Sequence, residues 1–300
     1  MKLPGLFQMI PRRVQVEDSS LSHTTDEFPF RPGRAKGLLK SSMLTILSIV
    51  LILAAWHLVA LIVISIRETP FPTPLEVLER LILLFSGNLL YDRTIENHVM
   101  LSLRRWGTGY VLAVVTGLLV GMLLGAYRLL RALFMPAIIV LQLIPGMAWI
   151  PIAMLLFGLG ENTTIFIIFM TALSPIIINT TAGIRMVPRI YTNVGRMIGL
   201  GQGEIFFKVL MPAALISIIN GLRIAFAGGW RVLIAAEMIV GVSIGLGYSL
   251  IQARWSMDFE AALVCIVIIC IFGLIMEKGL FALIEQRIMA RQGLSKDAVK

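Results

Sequence analysis

Six apolar runs, at about 43–66, 107–126, 132–157, 163–184, 213–242 and 261–284, are each long enough to cross the hydrocarbon of a bilayer. Lipid offers backbone N–H and C=O groups no partner, so each run has to close its hydrogen bonds within itself as a helix. The fold class that follows is all-α integral membrane, with six transmembrane helices. Composition excludes an ordinary soluble domain: 58% of the residues are hydrophobic and 14% charged, where a soluble chain carries about a quarter charged.

Orientation follows from lysine and arginine. With the amino terminus inside, the inner segments hold Arg12, Arg13, Arg31, Arg34, Lys36 and Lys40, then Arg128 and Arg131, then Arg185, Arg189, Arg196 and Lys208, then Arg287, Arg291, Lys296 and Lys300. The outer loops hold Arg67, Arg80, Arg93 and Arg254, with Arg104 and Arg105 where the second span begins. The positive-inside rule places both termini and the 188–212 loop in the cytoplasm. This topology accounts for the +9 net charge without nucleic-acid binding. Residues 1–41 mix Pro, Ser, Thr and charge without a period and read as a mobile cytoplasmic tail. Residues 42–287 form the transmembrane domain, and 288–300 a cytoplasmic carboxy-terminal tail. Between the first two spans, Pro70, Pro72 and Pro74 precede an amphipathic run through Leu75, Val77, Leu78, Leu81 and Leu84, expected on the outer membrane face.

The segment 188–223 is polar and glycine-punctuated, and it lies between two long apolar runs. Ile190, Tyr191, Val194, Met197 and Ile198 fall on one face of a short helix, with Arg189, Thr192, Asn193 and Arg196 opposite. Gly199 and Gly201 break it. A second short piece places Ile205, Phe206, Val209 and Leu210 on one face, before Pro212 opens the fifth span, where its missing N–H costs nothing. The expected form is helix, turn, helix at a membrane surface.

The run NVGRMIGLGQGEIFFKVLMP, 193–212, resembles the EAA loop of permease subunits of ATP-binding-cassette importers. Gly199 takes the position of that pattern's glycine, Val209 the isoleucine, Met211 the leucine and Pro212 the proline; Asn193, Val194 and Gly195 stand where Glu-Ala-Ala would be. From about 71 to 286 the chain is similar to the nitrate, sulfonate and taurine subfamily, through FPTPLEVLERL, LIPGMAWIPIAMLLFGLGE, AEMI and GLGYSLIQAR. The resemblance implies a type I importer permease fold in the inner membrane, with the 188–212 loop as a coupling helix. Asn193, Val194, Gly195, Gly199, Gly201, Val209 and Pro212 would then form the dock for a cytoplasmic ATPase dimer. It also implies a second copy of the chain and an extracytoplasmic binding protein as partners.

No nucleotide-binding glycine-rich loop ending in Lys-Ser or Lys-Thr occurs, so the ATP would be used by the partner ATPase and no cofactor is expected on this chain. Neither a catalytic group nor a metal site is legible: Cys265 and Cys270 lack nearby ligands, and His57 and His98 lack acidic partners at ligand spacing. The ionisable residues of the fifth span, Arg223, Arg231 and Glu237, have two readings. Either arginine could face a central pathway and offer a guanidinium to an oxyanion, or pair with Glu237 or cap backbone carbonyls. Ser174, Asn179, Thr180, Thr181 and Asn220 could line that pathway or bond between helices. Gly117, Gly121 and Gly125 form a small-residue face for close helix contact, and Pro145, Pro151 and Pro175 are expected to kink or break their helices. The cargo reading is a small anion such as sulfonate, taurine or nitrate. The alternatives are a neutral or aromatic solute such as a vitamin precursor, or a secondary transporter, which would need inverted repeats.

Overall fold

The computed structural model of the chain describes residues 34–68 and 70–291; of the tails expected at 1–41 and 288–300, residues 1–33 and 292–300 lie outside the described residues, while 34–41 and 288–291 are helical, within α1 and α12. In chain order the elements are α1 Arg34–Arg67, α2 Pro74–Phe85, an antiparallel hairpin of β1 Leu89–Leu90 and β2 Arg93–Thr94, α3 Ile95–Ala126, α4 Arg128–Leu143 and, after a 3-10 turn Gly146–Trp149, α5 Ile150–Phe157. Then come α6 Glu161–Met186, α7 Arg189–Met197, α8 Gln202–Ile205, a π-turn Phe206–Leu210, α9 Met211–Ile239, α10 Leu246–Ser256, α11 Phe259–Leu274, a second π-turn Ile275–Phe281 and α12 Ala282–Arg291. The boundary between two compact units, 1–52 and 53–300, falls within α1. Among the described residues, the first unit holds the opening of that helix, whose side chains from Met43 to Ile52 are exposed.

Among the described residues, five helical stretches are long and apolar enough to cross a membrane: Met43–Arg67, Ile95–Ala126, Glu161–Met186, Gln202–Ile239 and Phe259–Met289. The sixth run, expected at 132–157, is broken at Pro145, as that proline predicts. It is a pair, Arg128–Leu143 and Gly146–Phe157, bent by 101°. The local cause is Pro145, which drives the preceding Ile144 out of the helical region to φ −75°, ψ 117°. Gly146 then approaches α6 and α9 so closely that a Cβ there would lie 2.6 Å from Thr171 Oγ1 and 2.8 Å from Val232 Cγ2. The second span also starts earlier than hydropathy suggests, at Ile95, because its first turns bury His98, Ser102 and Arg105 against protein.

The amphipathic run after Pro74 is a helix, as its spacing predicts. Thr73 caps α2: its backbone N–H donates to Glu76 at 2.7 Å while its hydroxyl accepts from the Glu76 N–H. Val77 and Leu84 are buried, and Leu75, Leu78 and Ile82 are exposed on the other side.

The centre of the bundle is α6, which presents no exposed residue from Thr163 to Ile184. Helix α3 runs parallel to it. The α3 series Gly109, Gly117, Gly121, Gly125 meets Ile168, Ile176, Thr180 and Ile184, each step along one helix matched by the same step along the other. Helix α9 runs antiparallel, with Gly183 against Ala214 and Ser217, and Gly221 against Asn179. Apolar lipid tails give helices no hydrophobic reason to associate, so backbone approach at small residues supplies the packing contacts instead. An aromatic cluster fills the space toward α11: Trp106 stacks on Tyr110 at 4.9 Å and meets Phe226 edge-on at 4.8 Å, and Trp230 tilts against Phe272 at 4.4 Å. The Tyr110 hydroxyl donates to the Leu222 carbonyl at 2.9 Å.

A Cβ at Gly121 would sit 2.6 Å from Thr180 Cβ, whereas one at Gly107 meets nothing within 4 Å. Gly121→Val is therefore expected to destabilise the protein by about 1–3 kcal/mol through overpacking, while Gly107→Ala on the same helix is neutral or mildly stabilising. Thermal unfolding in detergent compares the two.

Candidate functional site: the helical elbow, the open face of α9 and the buried ionic cluster

The segment joining α6 to α9 is an elbow. Helix α7 ends in a Schellman turn, in which the Leu200 N–H donates to Gly195 O and the Gly199 N–H to Arg196 O, both at 3.0 Å. Gly199 occupies the left-handed region at φ +82°, where a side chain costs about 1–2 kcal/mol. Gly201, by contrast, is extended at φ −68° and serves as the cap of α8. Its N–H donates to Glu204 at 3.1 Å, and Glu204 pairs with Lys208 at 2.7 Å. Gly195 is buried beneath Ile205, and a Cβ there would come within 3.2 Å of Ile205 Cγ1. Beside it, Asn193 and Val194 are exposed.

Pro212 stands at the first turn of α9, as expected, but helical backbone already precedes it. Helix is continuous from Gln202 to Ile239, and the π-turn immediately before Pro212, closed by the Met211 N–H on Phe206 O, widens the backbone. That extra residue per turn eases the clash a proline ring makes with the carbonyl four residues back. Val209 lies half-buried in this turn. The apolar face of α7, formed by Ile190, Tyr191, Val194, Met197 and Ile198, is left uncovered by the rest of the described chain; Met197 is 86% exposed.

Helix α9 carries a second uncovered face. Ala213, Asn220, Ile224, Arg231 and Met238 are exposed at spacings of whole turns, a single stripe along the helix. The Arg231 Nε–H donates to its own helix at Ala227 O, 2.9 Å away, and among the described residues Arg231 has no ion-pair partner. Arg223 differs. It pairs with Glu285 at 2.7 Å and Glu277 at 3.4 Å and lies 5.9 Å from the Phe281 ring, bracing the second π-turn. Ser174 is buried in α6, and Asn179 donates to Pro175 O at 2.9 Å while its Cβ packs on Gly221. Those two side chains are engaged in helix packing, and Asn220 alone of the polar candidates shares the open stripe with Arg231.

The expected pairing of Arg223 or Arg231 with Glu237 is not formed. Glu237 is 1% exposed and belongs to a cluster at the end of the bundle remote from the elbow. Its carboxylate accepts from Ser102 Oγ at 2.8 and 2.9 Å, from Arg105 at 2.8 Å and from the Gly247 N–H at 2.9 Å. Arg105 also reaches Glu161 at 3.2 Å, and Arg104 joins Glu161 at 3.0 Å. The Gly245 N–H donates to His98 Nδ1, which leaves Nε2–H to donate to Leu90 O, so the imidazole is neutral. Gly245 sits at φ +151°, and a Cβ there would meet the Glu237 carboxylate at 2.5 Å. The cluster thus bolts the start of α10 onto α3, α6 and α9. Its sequence signal is the polar face formed by His98, Ser102 and Arg105, one helical repeat apart on an apolar helix.

A family model described as binding-protein-dependent transport system inner membrane component matches residues 113–290. The nitrate import permease protein NrtB of Synechocystis is 33% identical over 235 residues, covering 77% of this chain and 84% of that protein. The bicarbonate transport system permease protein CmpB of Synechococcus elongatus is 36% identical over 177 residues, covering 59% of this chain and 64% of that protein. Among solved structures, an inward-facing MetNI methionine ABC transporter superposes with a TM-score of 0.56 at 18% identity, over 70% of this chain and 98% of the other, a likeness of fold.

Removing one partner of the buried pair leaves the other charge without compensation. Arg105→Met is expected to destabilise by about 3–5 kcal/mol, and Arg105→Met combined with Glu237→Gln by less than Arg105→Met alone. Thermal unfolding of the two variants measures the difference.

Proposed function

The chain belongs to the family of binding-protein-dependent transport system inner membrane components, the permease subunits of ATP-binding-cassette importers, and from that premise we propose that it forms half of a paired channel for a small anion. It is a multi-pass membrane transport subunit rather than an enzyme. The observation that carries the anion reading is Arg231: an exposed guanidinium on the open stripe of α9 that, among the described residues, has no ion-pair partner. Charge within a span is costly in lipid, so such a residue belongs against a water-filled pathway or a protein neighbour. A guanidinium also matches the geometry of a planar oxyanion. The relatives named for nitrate and bicarbonate support the same class of cargo. The stripe left open on α9 supports a second copy across it, with Asn220 and Arg231 lining the passage between the two.

Coupling falls to the elbow. The uncovered apolar face of α7 suits a groove on a cytoplasmic ATPase, and the Schellman turn at Gly199 fixes the angle at which that face is presented. Asn193 sits at its edge as a neutral polar group in place of a carboxylate. In this reading both termini and the elbow are cytoplasmic, as Arg185, Arg189, Arg196 and Lys208 favour, and a binding protein delivers solute at the opposite face. ATP moves the equilibrium between inward-open and outward-open states only to the extent that closure of the ATPases changes the elbow's docked geometry.

Proteoliposomes holding this chain, its ATPase and its binding protein test the cargo against nitrate, bicarbonate, taurine, an alkanesulfonate and a neutral pyrimidine. The expected result is ATP-dependent uptake of an anion, reduced at least about tenfold (about 1.4 kcal/mol) by Arg231→Gln and less by Arg231→Lys. ATP-dependent uptake of the pyrimidine, unchanged by Arg231→Gln, overturns the anion reading. For coupling, Gly199→Val and Met197→Glu are each expected to abolish co-purification of the ATPase, with Gly199→Ala milder; full complex formation by Met197→Glu removes α7 as the dock.

A further inference from the structure

The elbow has an inner side as well as an outer one. Between the last two turns of α3 and the elbow lies a cavity of about 560 Å³, within the size range of sites that hold small organic ligands. Its two walls differ in chemistry. Helix α3 supplies Leu119, Leu123 and, at its end, Tyr127, while the π-turn supplies Phe207. The polar wall comes from the elbow, chiefly Thr192 and Arg196 of α7. Arg196 is exposed and, among the described residues, has no ion-pair partner. Thr192 and Arg196 lie one helical turn apart, on the side of α7 away from Val194, Met197 and Ile198. The apolar face proposed for the ATPase and the face that lines the cavity are therefore different faces of one helix.

We infer that this cavity is a binding site for an anionic phospholipid, with an acyl chain along α3 and the phosphate on Arg196. The inference rests on the reading that the elbow lies at the cytoplasmic membrane surface. From Leu119 to Tyr127 helix α3 rises roughly 12 Å, so the apolar wall runs from hydrocarbon to interface, and Tyr127 stands at the depth favoured by aromatic anchors. Arg128, exposed and directly after Tyr127, adds a second cation at that level. A free inorganic anion would leave the apolar wall unused, and a neutral lipid would leave the guanidinium unused; an anionic headgroup with its chain uses both. Because the lipid would touch α3 and both arms of the elbow, its presence would hold the angle through which the ATPase acts.

The test uses the full permease purified with its ATPase. Native mass spectrometry reads retained phosphatidylglycerol, and ATPase stimulation by binding protein is compared in vesicles of phosphatidylcholine alone and with phosphatidylglycerol. Wild type is expected to retain phosphatidylglycerol and to gain at least threefold in stimulation from it. Arg196→Gln should lose both, and Ala126→Phe, which fills the cavity from α3 without altering α7, should lose retention. Equal retention by wild type and both variants overturns the proposal. So does loss of ATPase binding in Arg196→Gln with retention unchanged, which would assign Arg196 to the ATPase dock, and so does displacement of the effect by inorganic phosphate. Lipid retention is read without transport, so a failed anion assay leaves this result interpretable on its own.

Discussion

Helix α6 has no free side between its ends, so α3 and α9 must come close to it on neighbouring faces, where they also meet each other through Trp106, Tyr110 and Phe226, and the positions of the remaining helices follow from that contact. Glycines on α3 and small residues on α9 allow the approach, and the Thr181 hydroxyl bonds across to the Gly121 carbonyl at 3.1 Å. A hydroxyl of this sort is kept within the protein rather than left to lipid. The bent pair α4 and α5 is fitted against the same centre, and its irregular backbone at Ile144 and Pro145 is tolerated because Gly146 presses on Thr171 of α6 and Val232 of α9.

The two ends of this three-helix centre are built differently. At one end four charged side chains, Arg104, Arg105, Glu161 and Glu237, are neutralised among themselves and tie α10 to the bundle. At the other end the elbow is held by a glycine turn, the single turn of α8 and a π-turn, with little of its own apolar surface covered. Buried ion pairs add little net stability but penalise separation of the partners strongly. The arrangement therefore suits a body that is rigid at one end and receives motion at the other, with α3, α6 and α9 running between.

Charge placement inside the spans divides along the same line. Arg223, Arg105 and Glu237 are consumed by partners within the chain, whereas Arg231 and Asn220 remain on a face the chain does not cover. Read from sequence, Arg223 and Arg231 are equivalent guanidiniums on one apolar helix. They are separated by the rotation of α9, which turns one toward Glu277 and Glu285 and the other outward.

What the sequence determined by itself is everything set within a few residues or by a helical period. That covers the membrane class, the existence of the spans, the capped helix after Thr73, the amphipathic face of α7 and the glycine turn after it. These depend on local backbone preference and on hydropathy, which are written in residue order. Tertiary structure decided the size of the bend at Pro145, 101°, the passage of helix through Pro212 and which intramembrane charges meet a partner and which does not. Arg105 and Glu237 stand 132 residues apart and Arg223 and Glu285 stand 62 apart. Which carboxylate a guanidinium meets depends on how each helix is rotated when its small residues seat against a neighbour. No periodicity within one segment carries that rotation, because it is fixed by the shape of another.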